Sequence, residues 1–211
     1  MTIAHLTDRL ETGTVERPAL QVIRGGAQID LEAAERAVSD LLHALGQDPT
    51  AEHTRETPRR VAAAYAELLT PREFTLTTFA NDEGYDELVV ARDIPFHSLC
   101  EHHMLPFKGV AHVGYLPGAR ILGLSKLARV FELFARGLQV QERLTKQVAD
   151  WLQEALDPKG VGVVLEAEHL CMSLRGVQAS GSLTVTSALH GILREDARSR
   201  SEFFALTGVR P

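Results

Sequence analysis

At residues 87–94 the chain reads ELVVARDI, and at residues 109–117 it reads GVAHVGYLP. Both segments are rich in valine and other apolar residues, and Pro117-Gly118 is a turn signal at the end of the second. The two segments therefore predict a pair of strands. The apolar residues that come next follow a helical spacing, so strands and helices are expected in separate blocks.

Two helices and two more strands are predicted after this pair. The first helix covers residues 125–136, with its serine as the cap and Gly137 as the stop, and the second covers residues 141–156. The strands read VGVVLEAEHLC at 161–171 and SLTVTSALHG at 182–191, and a short amphipathic helix is predicted at about residues 197–206. This order predicts an α+β fold, a four-stranded antiparallel sheet with a helix pair on one face. Such a sheet has open edges, and covering them by association predicts an oligomer.

The N-terminal part is expected to be helical. Asp30 and Thr57-Pro58 each provide a helix start signal before an apolar pattern of helical period. These patterns predict a helical hairpin within residues 29–72, which leaves residues 73–211 as the main domain. Residues 1–28 are polar and aperiodic, and we expect a mobile tail there.

Composition narrows the class of protein. The chain has 211 residues, a net charge of −6 and only two cysteines. This charge argues against nonspecific nucleic-acid binding through a basic surface. No apolar run reaches the length of a membrane span, and the N-terminus lacks the apolar segment of a signal peptide, so a cytoplasmic location is expected. A disulfide between the two cysteines is the weaker interpretation in that reducing compartment.

Both cysteines lie beside histidines, in Cys100-Glu101-His102-His103 and in His169-Leu170-Cys171. Thiolate and imidazole are ligands that suit Zn²⁺, and Cys100 and His103 have a spacing at which one turn can present both to one ion. With Cys171 they form a predicted zinc site of three protein ligands, which leaves a fourth position for a reactive water. The alternative is that the cysteines are simply buried apolar residues.

His102 and His169 remain beside the predicted ligands. Imidazole titrates near neutral pH, so two histidines next to a metal site are natural proton donors and acceptors. Each could instead orient a metal ligand through a hydrogen bond.

Two helix starts carry further candidates. Ser125-Lys126 and Arg129 combine free backbone amides with two cations, which favours an anion or phosphate site, although a solvated basic face is an equal alternative. Gln141-Glu142 opens the next helix. A carboxylate there usually complements the helix dipole, and from the residues alone we favour that structural role for Glu142.

Taken together, these motifs resemble the GTP cyclohydrolase I family, zinc enzymes of the tunnelling-fold (T-fold) class. The similarity covers residues 30–208 in order and without a large gap. Several separate motifs carry it, and they lie at residues 98–103, 123–129, 139–144, 169–172, 175–177 and 200–204.

The resemblance implies a role for each matching position. It makes Cys100, His103 and Cys171 the zinc ligands, and His102 and His169 the acid–base pair. It makes Glu142 the guanine anchor, with Gln141 beside it as a nucleotide contact. The residues that bind ribose and triphosphate would be Ser125, Lys126, Arg129 and Arg175, together with Arg60 from a neighbouring subunit. Some relatives carry a lysine where this chain has Ser173, so one phosphate contact is expected to differ.

The implied activity is conversion of GTP to 7,8-dihydroneopterin triphosphate with release of formate, by a homodecamer of two stacked five-membered rings with sites between subunits. Three alternatives stay open at this point. They are a zinc-stabilised oligomeric scaffold or regulatory nucleotide-binding protein without turnover, another T-fold enzyme acting on a pterin or deazapurine, and a zinc nucleoside deaminase. The paired Cys-x-x-Cys of the deaminases is absent from the chain.

Overall fold

Five strands form the central sheet, in a computed structural model that describes residues 28–209 and the backbone of Leu20–Val22. The helices and strands follow the chain in this order: β1 Leu20–Val22, α1 Leu31–Ala44, α2 Thr57–Leu69, β2 Phe74–Leu76, β3 Thr78–Ala80, β4 Val89–Cys100, β5 Pro106–Leu116, β6 Arg120–Leu122, α3 Leu124–Ala135, β7 Leu138–Gln139, α4 Gln141–Leu156, β8 Gly160–His169, α5 Leu170–Ser173, β9 Thr184–Gly191, α6 Ile192–Glu195 and α7 Ala197–Thr207.

The sheet has the strand order β7-β4-β5-β8-β9. The three pairs from β4 to β9 are antiparallel, while β7 pairs with β4 in parallel. The prediction of a four-stranded, wholly antiparallel sheet therefore misses one strand. β7 has only two residues, Leu138 and Gln139, which is too short for a period-2 pattern.

Helices α3 and α4 cover one face of the sheet and form the main core. Val130 and Phe131 of α3, with Leu144 and Val148 of α4, pack on apolar side chains of β5 and β8 such as Val113. α4 begins and ends where the sequence predicted, because its buried residues recur at helical spacing and the chain turns at Asp157, a left-handed C-cap. α3 begins at Leu124, with Gly123 rather than Ser125 at the cap position.

The opposite face is partly covered by α7, a helix that the sequence predicted at nearly these bounds but did not place on the sheet. Phe203 of α7 is fully buried with Val164 and Leu193 in a second, smaller cluster. Gly114 and Gly162 of the sheet make room for its ring, since a Cβ at Gly162 would lie 2.8 Å from ring carbons of Phe203. The helix at the C-terminal end of the described chain therefore packs on the same sheet as α3 and α4, on its other face.

Helices α1 and α2 precede the sheet and contact each other. The Asp30 carboxylate accepts a hydrogen bond from the Ala33 N–H at 2.9 Å, as its cap position predicted. α2 reaches the sheet domain through Tyr65, whose hydroxyl donates to the Met104 carbonyl at 3.1 Å. The second helix thus lies against the turn that follows β4.

The predicted mobile tail, residues 1–28, lies outside the described residues except for β1 and Gln28. β1 pairs antiparallel with β2, and the sequence predicted no strand there. In the part of the chain that the structure describes, no helix is long and apolar enough to cross a membrane.

Candidate metal centre and active site

The three predicted ligands converge where two strands end. Cys100 is the last residue of β4, His103 follows in the turn, and Cys171 lies in the short helix α5 after β8. The pairing of β5 with β8 places Phe107 opposite His169, which brings the segment after β8 next to the β4–β5 turn. One ligand atom from each of the three residues lies within 4.8 Å of the others.

The turn that carries His103 is tightly bonded. The Met104 N–H donates to the Cys100 carbonyl at 2.8 Å, and the Cys100 N–H donates to the Leu105 carbonyl at 2.9 Å. Met104 has a φ of +53°, in the left-handed region. A side chain from α4 supports the turn from outside, because the Arg143 guanidinium donates to the Glu101 carboxylate. The spacing of Cys100 and His103 is therefore held by the backbone before any ion binds.

The two sulfur atoms and one imidazole nitrogen of these residues suit a metal ion of borderline softness. Cys100 Sγ lies 3.9 Å from His103 Nδ1. A tetrahedral ion with usual sulfur and nitrogen bond lengths needs about 3.6 Å between such atoms, so the two donors need only a small adjustment. Burial raises the pKa of the Cys171 thiol, and the neighbouring Cys100 raises it further. Two adjacent thiols favour the neutral state without a cation, and a bound divalent ion reverses this preference.

His102 lies beside the ligand group in the same turn. Its side chain is exposed, and its Nδ1 is 3.7 Å from Cys100 Sγ. The rings of His102 and His103 have centroids 6.3 Å apart. An exposed imidazole at this distance can exchange protons with solvent and with a molecule bound at the ligand group.

The side chain of His169 is held more firmly than that of His102. Its ring stacks on that of Phe107, with centroids 4.7 Å apart and planes inclined by 3°. Its Nε2 lies 2.7 Å from the Gln141 amide oxygen. Burial lowers the pKa of His169, and the negative charge of Glu142 opposes this shift. The ring is therefore neutral to a lower pH than a solvated histidine.

The two residues at the start of α4 have different surroundings. Gln141 is buried, with 1% of its surface exposed, and its amide nitrogen donates to protein acceptors on β8 and β9. Glu142 is exposed and acts electrostatically on His169. The nucleotide contact that the sequence predicted for Gln141 stays a prediction.

The predicted phosphate residues are spread over three elements. Arg175 Nη1 lies 3.3 Å from His103 Nε2, so this guanidinium is next to the three predicted metal ligands. Ser125 is exposed in the first turn of α3, and no side chain caps that helix. The Lys126 N–H donates to the Gly123 carbonyl at 2.8 Å, so the amides left open in the described part of the chain are those of Leu124 and Ser125. Among the described residues, no hydrogen bond or ion pair joins the ligand group to Ser125, Lys126, Arg129 or Arg60.

Sequence reasoning missed the residues that support the site. It assigned no role to Arg143, Glu101 or Phe107, and it left the partner of His169 open. Arg143 also donates to the Gln139 side chain and the Leu138 carbonyl. It therefore joins α4 to β7 and to the turn that carries Cys100 and His103, here called the metal-binding turn for its predicted ligands. No local pattern marks such residues, because their partners lie far away in the sequence.

Comparison with known proteins agrees with this geometry. The family model described as GTP cyclohydrolase I matches residues 34–208. The chain is 52% identical to GTP cyclohydrolase 1 of Aquifex aeolicus, over 84% of this chain and 97% of that protein. It is 53% identical to the protein of that name from Mycolicibacterium vanbaalenii, over 83% and 90%, and 51% identical to that of Streptomyces coelicolor, over 87% and 93%. The chain belongs to the GTP cyclohydrolase I family.

Proposed function

We propose that this chain converts GTP to 7,8-dihydroneopterin triphosphate and formate, the first step of folate and tetrahydropterin biosynthesis. The observation that carries the proposal is the group of Cys100, His103 and Cys171, with His102 beside it and His169 two residues before Cys171. The group occurs in a chain about half identical, over most of its length, to proteins named GTP cyclohydrolase 1.

The cofactor that fits the donor set is one zinc ion per subunit. Two thiolates and one imidazole suit Zn²⁺, and three protein ligands are typical of catalytic rather than structural zinc. When bound, zinc supplies Lewis acidity that brings the pKa of a water molecule toward neutrality.

The histidines move the protons. Water adds to C8 of the guanine ring while His169 protonates N7, and the imidazole ring of the base opens to a formamide. A second hydrolysis then releases formate, with His102 as the proton shuttle. The ribose, still bonded to N9, rearranges to a ketose, and its carbonyl carbon condenses with the amino nitrogen that formate release has freed, with loss of one water. The exposed position of His102 supports a shuttle role, since it can exchange protons with solvent.

Substrate binding is assigned to polar groups around this centre. The exposed Glu142 carboxylate accepts hydrogen bonds from the guanine edge and so selects guanine over adenine. The ribose and triphosphate are bound by Ser125, Lys126, Arg129 and Arg175 and by Arg60 of a neighbouring subunit. The open amides of α3 support the phosphate assignment.

The assembly we propose is a cytoplasmic homodecamer of two five-membered rings, with sites at subunit interfaces. Each subunit would consist of a T-fold domain at residues 73–211, a helical hairpin at 29–72 and a tail at 1–28. Open sheet edges support association, because Leu138 of β7 and Val185 of β9 are exposed apolar residues on the two outer strands.

The test is formate release from GTP by the zinc-loaded protein, with pterin fluorescence recorded after oxidation. We expect both products, and we expect a zinc chelator to abolish both. His102→Ala should lower turnover about 100-fold or more, while His43→Ala, on the exposed surface of α1, should not change it. Neither product from a zinc-loaded, assembled protein would favour the scaffold without turnover.

A further inference from the structure

The side chain of Gln141 joins His169 to the edge strand of the sheet. Its amide nitrogen lies 2.9 Å from the Thr184 carbonyl oxygen and 3.1 Å from Thr186 Oγ1, both on β9. Its amide oxygen lies 2.7 Å from His169 Nε2. With 1% of its surface exposed, Gln141 has these protein atoms as its partners in place of water.

The orientation of this amide follows from its neighbours. An exchanged amide would set its oxygen against the Thr184 and Leu165 carbonyl oxygens, which can only accept. The hydroxyl groups agree with the assigned orientation. The Thr145 hydroxyl donates to the main-chain carbonyl of Gln141, so the Thr145 oxygen accepts from the Thr186 hydroxyl. The Thr186 oxygen in turn accepts from the side-chain amide of Gln141. All these hydrogen bonds run in one direction, and the amide oxygen faces the histidine.

An amide oxygen can only accept, so Nε2 of His169 must carry a hydrogen. This is true of the neutral ring, in which one nitrogen donates and the other accepts, and of the protonated ring, in which both donate. In the neutral ring Nδ1 is then the nitrogen without a hydrogen. The stacked ring of Phe107 holds the plane of the imidazole.

We propose that Gln141 is a positioning residue that holds the His169 ring in one orientation and in one tautomer, with the ring hydrogen on Nε2. This rests on the proposed function, in which His169 transfers a proton. It differs from the nucleotide contact that the family resemblance implies for Gln141. A nucleotide contact contributes to GTP binding, whereas a positioning residue contributes to the chemical step.

The first test compares Gln141→Met with Gln153→Met, a matched change on the same helix. The Gln153 amide donates to the Pro158 carbonyl at the far end of α4. We expect Gln141→Met to lower kcat about 100-fold, the size of an acid–base contribution, with the Kd of GTP within about twofold of the wild type. Gln153→Met should change neither. An unchanged kcat, or a loss of GTP affinity that accounts for the whole loss of kcat/KM, would overturn the proposal.

The second test reads the tautomer directly and needs no substrate. Nitrogen-15 NMR of zinc-loaded protein labelled at the histidine rings would be recorded well above the usual histidine pKa, with His169→Gln to assign the signals. We expect a protonated Nε2 and a bare Nδ1 for His169 in the wild type, and a mixture of tautomers in Gln141→Met. An Nδ1–H tautomer in the wild type would overturn the proposal.

The two tests separate this inference from the activity itself. If the wild-type protein released no formate, the proposed function would fail, while the NMR spectrum would still decide whether Gln141 selects the tautomer. Unchanged signals from His112 and His190, which lie on other parts of the sheet, would show that Gln141→Met is folded. A mixture of tautomers in a folded variant supports the positioning role.

Discussion

Gln141 and Glu142 are neighbours in the chain but lie in opposite environments. Successive residues of a helix are rotated by about 100°, so the first turn of α4 directs one side chain into the protein and the next toward solvent. Gln141 is buried against β8 and β9, whereas Glu142 is exposed and acts on His169. At this scale, one step along the helix separates the proposed support for His169 from the proposed contact for the guanine base.

The role of Glu142 can be tested by its truncation. Hydrogen bonds to a charged group are worth about 1.5–3 kcal/mol, so Glu142→Ala should lower kcat/KM for GTP about 10- to 100-fold and remove the preference for GTP over ATP binding. Steady-state kinetics with GTP and competition by ATP measure both effects. Glu154→Ala, an exposed glutamate further along α4, is the control. A variant that still preferred GTP would exclude Glu142 as the guanine anchor.

At the scale of elements, the metal-binding turn depends on α4 as well as on its own backbone. Arg143 donates to Glu101 in the turn and to the Leu138 carbonyl of β7. The Gln139 carbonyl of β7 also accepts a hydrogen bond from the Glu101 N–H, at 2.9 Å. The turn is thus held between a helix and the two-residue strand that the sequence pattern missed.

Removing this contact should weaken metal binding more than folding. Loss of a group that orients ligands typically costs about 10- to 100-fold in metal affinity, and we expect this range for Arg143→Met. Competition with a chromophoric zinc chelator measures the affinity, and circular dichroism measures the fold. Lys146→Met removes another cation from the surface of α4 and should leave the affinity unchanged. Equal zinc affinity in both variants would show that the turn needs no support from α4.

The N-cap residue of α7, Asp196, should make the stability of the fold depend on pH. The pKa of Asp196 is lowered, chiefly because its carboxylate accepts hydrogen bonds from the Ser199 N–H and hydroxyl. A depressed carboxyl pKa contributes stability above the unfolded value of about 3.9, and this stability is lost as the pH falls through the folded value. Asp196→Ala should therefore lower the denaturation midpoint at neutral pH.

The deficit of Asp196→Ala should begin to shrink below about pH 4, where the carboxyl group of the unfolded wild-type chain takes up a proton, and should disappear below the lowered pKa of the folded state, where the folded carboxylate is protonated too. Urea denaturation of both proteins across this range measures the difference. Asp82→Ala, at an exposed turn residue, is the control and should match the wild type throughout. A deficit that stayed constant with pH would mean that the charge of Asp196 does not act on the helix.

At the scale of the whole molecule, the sheet is packed from both sides. α3 and α4 cover one face, and Phe203 of α7 fills the space above Gly114 and Gly162 on the other. The end of the described chain therefore stabilises the strands that lead to the metal centre. Phe203→Ala should lower the free energy of unfolding by about 3–5 kcal/mol, the usual cost of removing a buried aromatic ring.

Urea denaturation of zinc-loaded protein would measure this loss. Phe79→Ala is the matched control, because the Phe79 ring is exposed on β3 and leaves no cavity. A loss for Phe203→Ala no larger than that of the control would show that the second face of the sheet contributes little to stability.

The sequence by itself determined the features that depend on near neighbours in the chain. The bounds of α4 follow from apolar residues at helical spacing, and the metal-binding turn from Cys100 and His103 three residues apart. What only the tertiary structure decided depends on residues far apart. The pairing of Gln141 with His169, the contact of Arg143 with Glu101, and β7 beside β4 have no local pattern. Such contacts arise only when separate elements pack on one sheet, because packing sets which distant polar groups must satisfy one another.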